Sequence, residues 1–475
     1  MRVVIDGAKV SLPDIRRDAI RELDRVLSYP VEGAWFAPSY RRGKWDGKVH
    51  FIHVKRGGGY TFPVGLLPDA LLTLRNIGVE PEITDNRSPG HSLPSHGYNP
   101  GVPVRPYQEQ ATSALIEGKA GISSLGILKM PIRSGKTLTA SLLIERMGLK
   151  TLFVVPSILL ADQSAAVFRR VFDGLEVTTL CEGRTASTRA EIVVATFQTL
   201  MSGHRKKDMF VGWTLDTTGL LIVDECHHLE AEEWREPLLQ CPAPARVGLS
   251  ATAYISRRKP NERSALWLKA LCGPIVYEVS MDYLVKKGWL VQTEVRLITV
   301  ESPATEGKWD SRLYDRLITN NQLRNRLIVA ASLEAARAGG RRVLIDIGRV
   351  EHGKVLLSML RSAGLRAALL IGSSQSEDRA EVIGQLKAGR LDVIVSTLLG
   401  EGVDIPELEV VINAEGGASK KSTIQRLRNM TPAEGKDAAL IVDFIDLTNP
   451  YLARHSLERL RTYKGEGCFT IRAGV

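Results

Sequence analysis

The chain has 475 residues and a net charge of +10, from 63 Lys and Arg against 53 Asp and Glu. Its hydrophobic content of 44% and charged content of 24% are typical of globular proteins, which excludes a largely disordered chain. No apolar stretch approaches the roughly 18 residues of a membrane span, and charged residues interrupt the start of the chain, so the sequence predicts neither a span nor a signal peptide. Five scattered cysteines without a CxxC pair indicate a reducing compartment, and we expect a cytoplasmic protein.

The first hundred residues predict a small α+β domain. Residues 14–27 have helical apolar spacing, and residues 48–54 and 60–64 have the pattern of short strands. The first sixty residues carry twelve Lys and Arg against seven Asp and Glu, so this region is basic. A stretch rich in Ser, Pro, Gly and Asn at 86–103 is typical of a linker, which predicts a domain boundary near residue 100.

Beyond residue 104, apolar runs alternate with helical segments, which is typical of parallel sheets covered by helices on both faces. The sequence thus predicts an α/β protein with two such domains in tandem, joined by a hairpin-like link around 291–300, with a long helix at 322–338. The predicted strands are 124–130, 151–155, 192–196, 220–223 and 247–249 in the first domain, and 343–347, 367–371, 393–396, 410–413 and 439–444 in the second.

A phosphate-binding loop follows the first of these strands. Gly135 lets backbone N–H groups approach phosphate oxygens, Lys136 would neutralise the β and γ phosphates, and the Thr137 hydroxyl would bind Mg²⁺. The motif departs from its usual form, because Met130 and Arg133 stand where glycine is common. The predicted nucleotide-binding residues here are Arg133, Ser134, Gly135, Lys136 and Thr137.

Two acids end the apolar strand at 220–223. Asp224, at the tip of a buried parallel strand, can reach a Mg²⁺ ion held at the phosphate loop, and Glu225 can orient or deprotonate the attacking water. His227 and His228 are adjacent and point in different directions, so a role in relaying the nucleotide state, or plain packing, is favoured over a zinc site.

Further motifs follow in a fixed order, at 105–108, 156–163, 195–199, 250–252 and 396–404. Together with the phosphate loop and the Asp-Glu-Cys-His sequence at 224–227, they resemble the superfamily 2 helicases of the DExH type. The resemblance implies two tandem RecA-like domains, ATP and Mg²⁺ as cofactors, and a monomer that moves along nucleic acid.

The resemblance also implies roles for individual residues. Arg105, Tyr107 and Gln108 would recognise adenine, by stacking and by amide hydrogen bonds, and Gly402 and Asp404 would lie near the ribose. The remaining assignments are Pro156, Thr196 and Thr397 for nucleic-acid contact, and His227, Ser250 and Thr252 for coupling ATP state to strand contacts.

The last helicase motif is imperfect in this sequence. Members of the family commonly have Gln-Arg-x-Gly-Arg-x-x-Arg, whereas residues 425–431 read Gln-Arg-Leu-Arg-Asn-Met-Thr. Arginines in this motif stabilise charge on the transferring phosphoryl group. Gln425 remains a catalytic candidate, and Arg428 is favoured over Arg426 as the finger arginine.

A basic stretch with an aromatic residue lies within the N-terminal domain. Its predicted DNA contacts are Arg41, Arg42, Lys44, Trp45 and Lys48; alternatively the stretch is a basic hairpin with Trp45 packed inward. Followed by a helicase core, this Gly-Lys-Trp-Asp-Gly-Lys stretch resembles the bacteriophage UvsW-type helicases. That resemblance implies an ATP-dependent DNA helicase that remodels forks, junctions and displaced-strand loops in phage recombination or repair, in the bacterial host cytoplasm.

The predicted domains are then a duplex-binding domain at 1–100, helicase domains at 101–278 and 279–446, and a C-terminal tail at 447–475. We expect the tail to be a solvated helix capped by Gly465 rather than a further DNA contact. Two alternative functions remain: an RNA helicase, and a DNA-binding scaffold with a degenerate ATPase. The presence of Lys136, Thr137, Asp224 and Glu225 argues against the scaffold.

Overall fold

The computed structural model describes residues 1–118, 122–131, 133–184, 186–230, 234–251, 263–301, 310–372, 374, 376–397, 405, 407–417, 423, 432, 436 and 438–474. The chain divides into two compact units. The first comprises Met1–Pro131 and Gly135–Val279, and the second comprises Ile132–Ser134 and Ser280–Val475. None of the helices in the described ranges combines the length and hydropathy needed to cross a lipid bilayer.

The N-terminal segment folds into a mixed five-stranded sheet packed against two helices. Its elements are β1 (Arg2–Asp6), β2 (Lys9–Leu12), α1 (Arg17–Val26), β3 (Ser28–Pro30), α2 (Pro38–Arg41), β4 (Lys48–His50), β5 (His53–Val54), β6 (Tyr60–Pro63), α3 (Leu67–Asn76) and β7 (Glu82–Asp85), with 3₁₀ turns at Ala34–Phe36 and Val64–Leu66. The sheet order is β5-β6-β2-β1-β7, and β3 pairs separately with β4. Period-two burial in β1 and helical spacing in α1 place Val3, Ile5, Ala19 and Leu23 in one core.

This N-terminal core continues into the first α/β unit. Leu125, Leu266 and Ala270, from beyond residue 100, belong to the same cluster of buried side chains. The contact is close: a Cβ at Gly65 would lie only 2.0 Å from the carbonyl oxygen of Lys269, so only glycine fits there. The first hundred residues are therefore packed as part of the first unit.

The predicted linker is also packed against this unit. Its β8 (Gly97–Tyr98) pairs with a short strand at Phe172–Asp173, and the Arg87 guanidinium donates to the Pro244 carbonyl over 2.7 Å. A Cβ on Gly90 would come within 2.7 Å of the Gly219 backbone. The prediction of a linker is therefore wrong in one respect, because its backbone and side chains bond to the unit that follows.

The first parallel sheet has seven strands. Its elements are α4 (Pro106–Glu117), β9 (Leu125–Lys129), α5 (Lys136–Met147), β10 (Thr151–Val155), α6 (Ile158–Val171), β11 (Phe172–Asp173), β12 (Val177–Leu180), β13 (Ile192–Thr196), α7 (Phe197–Lys206), α8 (Met209–Thr217), β14 (Leu220–Asp224), α9 (Glu236–Gln240), β15 (Ala245–Ser250), α10 (Arg263–Cys272) and β16 (Ile275–Glu278), with a 3₁₀ turn at Cys226–Glu230. The order is β12-β13-β10-β14-β15-β9-β16, and every pairing is parallel. All residues of β10, β13 and β14 are buried, as expected of central parallel strands.

The second unit is built on another seven-stranded parallel sheet. Its elements are α11 (Met281–Lys286), β17 (Gln292–Val300), α12 (Ser311–Tyr314), a π-helical turn (Asp315–Thr319), α13 (Gln322–Gly339), β18 (Val343–Asp346), α14 (Val350–Ser362), β19 (Ala367–Leu370), α15 (Ser376–Lys387), β20 (Val393–Ser396), β21 (Val410–Asn413), β22 (Ala438–Asp446), α16 (Pro450–Glu466) and β23 (Phe469–Gly474). The order is β19-β20-β18-β21-β22-β17-β23, again with all pairings parallel. The two sheets confirm the predicted α/β class with tandem RecA-like domains.

Two predictions for this unit are wrong. The link predicted as hairpin-like is the nine-residue strand β17, which pairs with both β22 and β23. The C-terminal helix is not simply solvated, because the Arg459 side chain is buried and lies 3.0 Å from Asp443. The helix ends at Glu466 and is capped by Gly467, which has a left-handed conformation; the predicted cap was Gly465.

Candidate nucleotide site and nucleic-acid surfaces

The phosphate loop has the backbone that its sequence predicts. It lies between β9 and α5, and Gly135 adopts a left-handed conformation with φ +77° at the first residue before the helix. This left-handed backbone favours glycine, and a Cβ at Gly135 would also lie 2.7 Å from the Gln108 amide nitrogen, so the Gln108 side chain would have to shift. Arg133, where glycine is common in such loops, is also left-handed at φ +67°, a conformation that costs a side-chain-bearing residue about 1–2 kcal/mol.

The loop lysine and the second strand-end acid form an ion pair. Lys136 Nζ lies 2.6 Å from Glu225 Oε1, and both side chains are largely buried. Glu225 has a left-handed backbone with φ +47°, which is strained for a residue with a side chain. Strain of this kind is common where the surrounding structure fixes a catalytic group.

Asp224 ends β14 and is almost completely buried. Its carboxylate accepts a hydrogen bond from the Glu225 backbone N–H over 2.9 Å. Burial raises the pKa of Asp224 to about 6, Lys136 opposes this rise, and the neighbouring Glu225 adds to it. A bound cation would favour the ionised form of such a carboxyl group, which fits the predicted metal role.

The donor set at this site suits Mg²⁺. Asp224 supplies a carboxylate and Thr137 a hydroxyl, both oxygen donors of the type that Mg²⁺ prefers. The described part of the chain contains no group of three or more His, Cys, Asp or Glu side chains able to hold a metal by themselves. Mg²⁺ usually takes the rest of its coordination from nucleotide phosphates and water.

His227 connects Glu225 to the end of the neighbouring strand. Its Nδ1 lies 3.3 Å from Glu225 Oε2 and 2.9 Å from the hydroxyl of Ser250, the last residue of β15. The Ser250 carbonyl in turn accepts a hydrogen bond from Met130 N–H, where the phosphate loop begins. The structure thus brings together two of the three residues predicted to couple ATP state to strand contacts.

The segment predicted to recognise adenine forms hydrogen bonds within the protein. Gln108 accepts a hydrogen bond from the Arg105 N–H and donates to the Gly135 carbonyl, so it ties the start of α4 to the phosphate loop. Tyr107 is fully buried and its hydroxyl accepts a hydrogen bond from Arg105. The prediction that Tyr107 can stack on a base is therefore wrong for this structure, because no face of its ring is accessible.

The predicted nucleic-acid contacts of the α/β units differ in accessibility. The hydroxyl of Thr196 is buried and caps α7, accepting a hydrogen bond from the Thr199 N–H, so its role in this structure is to hold the helix start. Pro156 follows β10 and Thr397 follows β20, each half-buried at the carboxyl end of a parallel strand. Ligands of parallel α/β sheets bind at such ends.

Six predicted site residues lie outside the described residues: Thr252, Gly402, Asp404, Gln425, Arg426 and Arg428. Their assignments remain those that the sequence predicts.

The basic N-terminal stretch forms a turn, which we call the basic turn and define as residues 33–48. Arg41, Arg42, Lys44 and Lys48 are exposed on it. Trp45 is half-buried, and its indole N–H donates to the Lys48 carbonyl over 2.7 Å, so this side chain also stabilises the turn.

Sequence reasoning missed three aromatic residues of the basic turn. Trp35, Phe36 and Tyr40 are all exposed. The signal was available, because two adjacent aromatics between Gly33 and Pro38 fit neither a helical nor a strand pattern of burial.

Comparison with known proteins identifies the family of this chain. Residues 101–255 match the family described as Type III restriction enzyme, res subunit, and residues 324–428 match the Helicase conserved C-terminal domain. The phage T4 ATP-dependent DNA helicase uvsW is 22% identical over 95% of each chain. The chain belongs to the superfamily 2 helicases.

Other helicases share the sequence or the fold over most of the chain. The DNA 3'-5' translocase XPB2 of Sulfurisphaera tokodaii is 25% identical over 78% of this chain and 87% of its own. Yeast Dbp5 bound to RNA and ADP BeF3 has the same fold, with a TM-score of 0.53 at 16% identity over 78% of this helicase and 89% of Dbp5. As a member of the superfamily, this helicase uses ATP with a divalent metal ion and acts on nucleic acid.

Proposed function

We propose that this helicase is an ATP-dependent DNA helicase or translocase that unwinds or remodels branched DNA, such as forks, four-way junctions and displaced-strand loops. The observation that carries the proposal is the cluster of Lys136, Glu225 and Asp224 beside the phosphate loop, which is equipped for ATP hydrolysis. Its proposed domains are a duplex-binding domain at 1–100, motor domains at 101–278 and 279–446, and a C-terminal segment at 447–475 that completes the second sheet.

The ion pair of Lys136 with Glu225 suggests how nucleotide binding prepares hydrolysis. When ATP binds, the Lys136 ammonium group would exchange the carboxylate for phosphate oxygens, which carry more charge. Glu225 would then be available to orient the attacking water and accept its proton. Asp224 and Thr137 would hold Mg²⁺, which when bound neutralises charge on the phosphates.

The remaining nucleotide contacts are proposed from the sequence. Gly402 and Asp404 would lie near the ribose, Gln425 would assist catalysis, and Arg428, with Arg426 second, would stabilise charge on the transferring phosphoryl group. Arg105 would contribute to adenine binding, and Gln108 would position the phosphate loop through the Gly135 carbonyl.

DNA is favoured over RNA as the substrate by the names of two relatives, a DNA helicase and a DNA translocase. The exposed cations of the basic turn support binding to duplex arms, since phosphate contacts supply most of the sequence-independent affinity for DNA. We propose that the enzyme works as a monomer in phage recombination or repair, in the cytoplasm of the bacterial host.

The test is steady-state ATP hydrolysis by the full chain, alone and with single-stranded, duplex or forked DNA and the matching RNAs. DNA should stimulate hydrolysis strongly, forks most of all. Glu225→Gln should lower kcat about 10²–10⁴-fold, the usual contribution of a general base, while DNA binding is retained.

Two outcomes would overturn the proposal. Greater stimulation by RNA than by DNA would make the chain an RNA helicase. Equal, negligible hydrolysis by wild type and Glu225→Gln, with tight DNA binding in both, would leave a scaffold with a degenerate ATPase.

A further inference from the structure

The exposed aromatic residues of this helicase are concentrated at one place. Within the described ranges, the only aromatic side chains with large exposure are Trp35 (56%), Phe36 (68%) and Tyr40 (42%). Large aromatic faces left in water are unfavourable for a monomer, and their concentration on a small patch marks a binding surface.

The backbone holds two of these rings in a fixed arrangement. Trp35 and Phe36 lie on a 3₁₀ turn closed by hydrogen bonds from Phe36 N–H to the Gly33 carbonyl and from Ala37 N–H to the Ala34 carbonyl, both 2.9 Å. Gly33 enters the turn with φ +74°. The two ring centroids are 5.6 Å apart and the ring planes are inclined by 48° to each other, so the rings are tilted and not stacked on each other.

Cations follow the pair along the basic turn. The Arg41 guanidinium donates to the Trp35 carbonyl over 3.1 Å, which links the aromatic turn to the basic residues. Arg42 and Lys44 follow immediately and are exposed, and no carboxylate of the described residues forms an ion pair with Arg41, Arg42 or Lys44. Exposed cations beside exposed aromatic faces fit a polyanion that also presents flat rings, which is a nucleic acid.

The aromatic faces also indicate which part of the DNA is bound. In a duplex, neighbouring bases cover both faces of every internal base, so a protein ring can stack only on a base that is unpaired or at an end. Arg42 and Lys44, in contrast, suit the phosphates of an intact duplex. An unpaired base and the phosphates of an intact duplex lie next to each other only where a duplex opens.

We propose that Trp35 and Phe36 form a base-stacking wedge that holds the unpaired nucleotide at the branch point of the DNA. This inference rests on the proposed function and adds to it the residues that recognise the branch.

The experiment uses the full chain without ATP and a DNA fork carrying 2-aminopurine either at the first unpaired position or in the middle of a duplex arm. Stacking on an aromatic ring quenches this base, so wild type should quench the junction probe and leave the internal probe unchanged. Trp35→Ala/Phe36→Ala should abolish that quench and weaken fork binding about tenfold, the scale of losing one stacked base.

Two matched variants control for a general loss of surface or fold. Val54→Ala removes an apolar side chain that is 76% exposed on the N-terminal sheet, and this variant should quench the junction probe as wild type does. Trp35→Phe/Phe36→Tyr keeps two rings and should restore the junction quench. A junction quench that is present in the variant with two rings and absent from the alanine double variant distinguishes stacking from a structural role.

The proposal is overturned if the alanine double variant still quenches the junction probe, or if wild type quenches both probe positions equally. Unchanged fork binding in the double variant would also overturn it, and would point to a protein partner for the aromatic patch. Because the probe is read without ATP, a wild type that quenches the junction probe but shows no DNA-stimulated hydrolysis would refute the proposed motor function while supporting the wedge.

Discussion

The phosphate site and the basic turn both depend on cations, but their surroundings are opposite. Lys136 is largely buried, held 2.6 Å from Glu225 on a loop with two left-handed residues. Arg42 and Lys44 are exposed on the basic turn. A buried, partnered cation acts strongly on one phosphoryl group at a fixed position, whereas exposed cations attract any phosphate that approaches, with a strength that depends on salt. The comparison is consistent with the proposal that Lys136 serves ATP hydrolysis while Arg42 and Lys44 serve affinity for DNA.

Removing the buried cation should have the largest effect. Lys136→Ala should lower kcat/KM for ATP by about 10²–10³-fold, because it removes the buried ammonium group that is paired with Glu225 at the phosphate loop. The measurement is steady-state hydrolysis with saturating single-stranded DNA.

Lys286→Ala is the matched control for this loss. Lys286 also pairs with a carboxylate, Asp282, but on the exposed surface of α11, where such a pair contributes little. A similar fall of kcat/KM in Lys136→Ala and Lys286→Ala would show that the effect of Lys136 does not depend on its buried position.

Neutralising the exposed cations should weaken binding about tenfold and leave the chemistry intact. Arg42→Gln/Lys44→Gln should reduce fork affinity and lower the slope of log K against log salt by about two, since each phosphate contact contributes roughly 0.9. The test is fluorescence anisotropy across a salt series.

Arg16→Gln/Arg25→Gln carries the same change in net charge just before and within α1, where Arg16 pairs with Asp18 and Arg25 with Glu22. An equal change of slope in this control would mean that the net charge, and not the basic turn, governs binding.

An intermediate effect is expected at Ser250, where β15 ends beside His227. Ser250→Ala removes the hydroxyl 2.9 Å from His227 Nδ1. We expect base pairs unwound per ATP hydrolysed to fall several-fold while DNA-stimulated hydrolysis persists, because the link to Glu225 is weakened but the acid remains.

Ser332→Ala is a suitable comparison, since Ser332 is equally buried but bonds only to Ile328 of its own helix. If both variants lose hydrolysis and unwinding in the same proportion, Ser250 is structural rather than coupling.

The smallest expected effect is a pH dependence of stability that arises from His50, which pairs with Asp46 of the basic turn. His50 lies 2.7 Å from Asp24 and 3.0 Å from Asp46; partial burial opposes protonation, but these two carboxylates raise the pKa of His50 above 6.5. Its contribution to the free energy of unfolding is therefore fully present below pH 6.5 and is lost as pH rises through the raised value.

Urea unfolding from pH 6 to pH 9 should show this loss in wild type, as a small decrease in the free energy of unfolding. His50→Gln should remove the pH-dependent part. The same decrease in the variant would assign it to another group.

Most of the sheets could be predicted from the sequence, and the failures have physical causes. Continuous apolar runs located β10, β13, β20 and β21 to the residue. β17 was not recognised because polar residues such as Glu294 and Arg296 interrupt its pattern and form ion pairs at its surface. β23 was missed for a related reason, since exposed residues alternate along this edge strand.

The proximity of Lys136, Asp224 and Glu225 could likewise be predicted, because their spacing reflects where parallel strands end. What spacing does not give is the direction of a side chain, and so the burial of Tyr107 was not foreseen. Nor could composition show that Arg459 lies inside the second unit, because its contact with Asp443 depends on how the helix packs against the preceding strand, β22.

Trp267, on α10, lies where the first hundred residues pack against the rest of the first unit. Its indole N–H donates to the Tyr29 hydroxyl over 3.1 Å, and its ring contacts Phe51 and the Arg235 guanidinium. A truncated chain starting near residue 100 would expose this indole with Leu125, Leu266 and Ala270 as an apolar patch. Such a fragment would aggregate for reasons unrelated to DNA, so the contribution of the N-terminal sheet is separable only by substitutions on its outer surface.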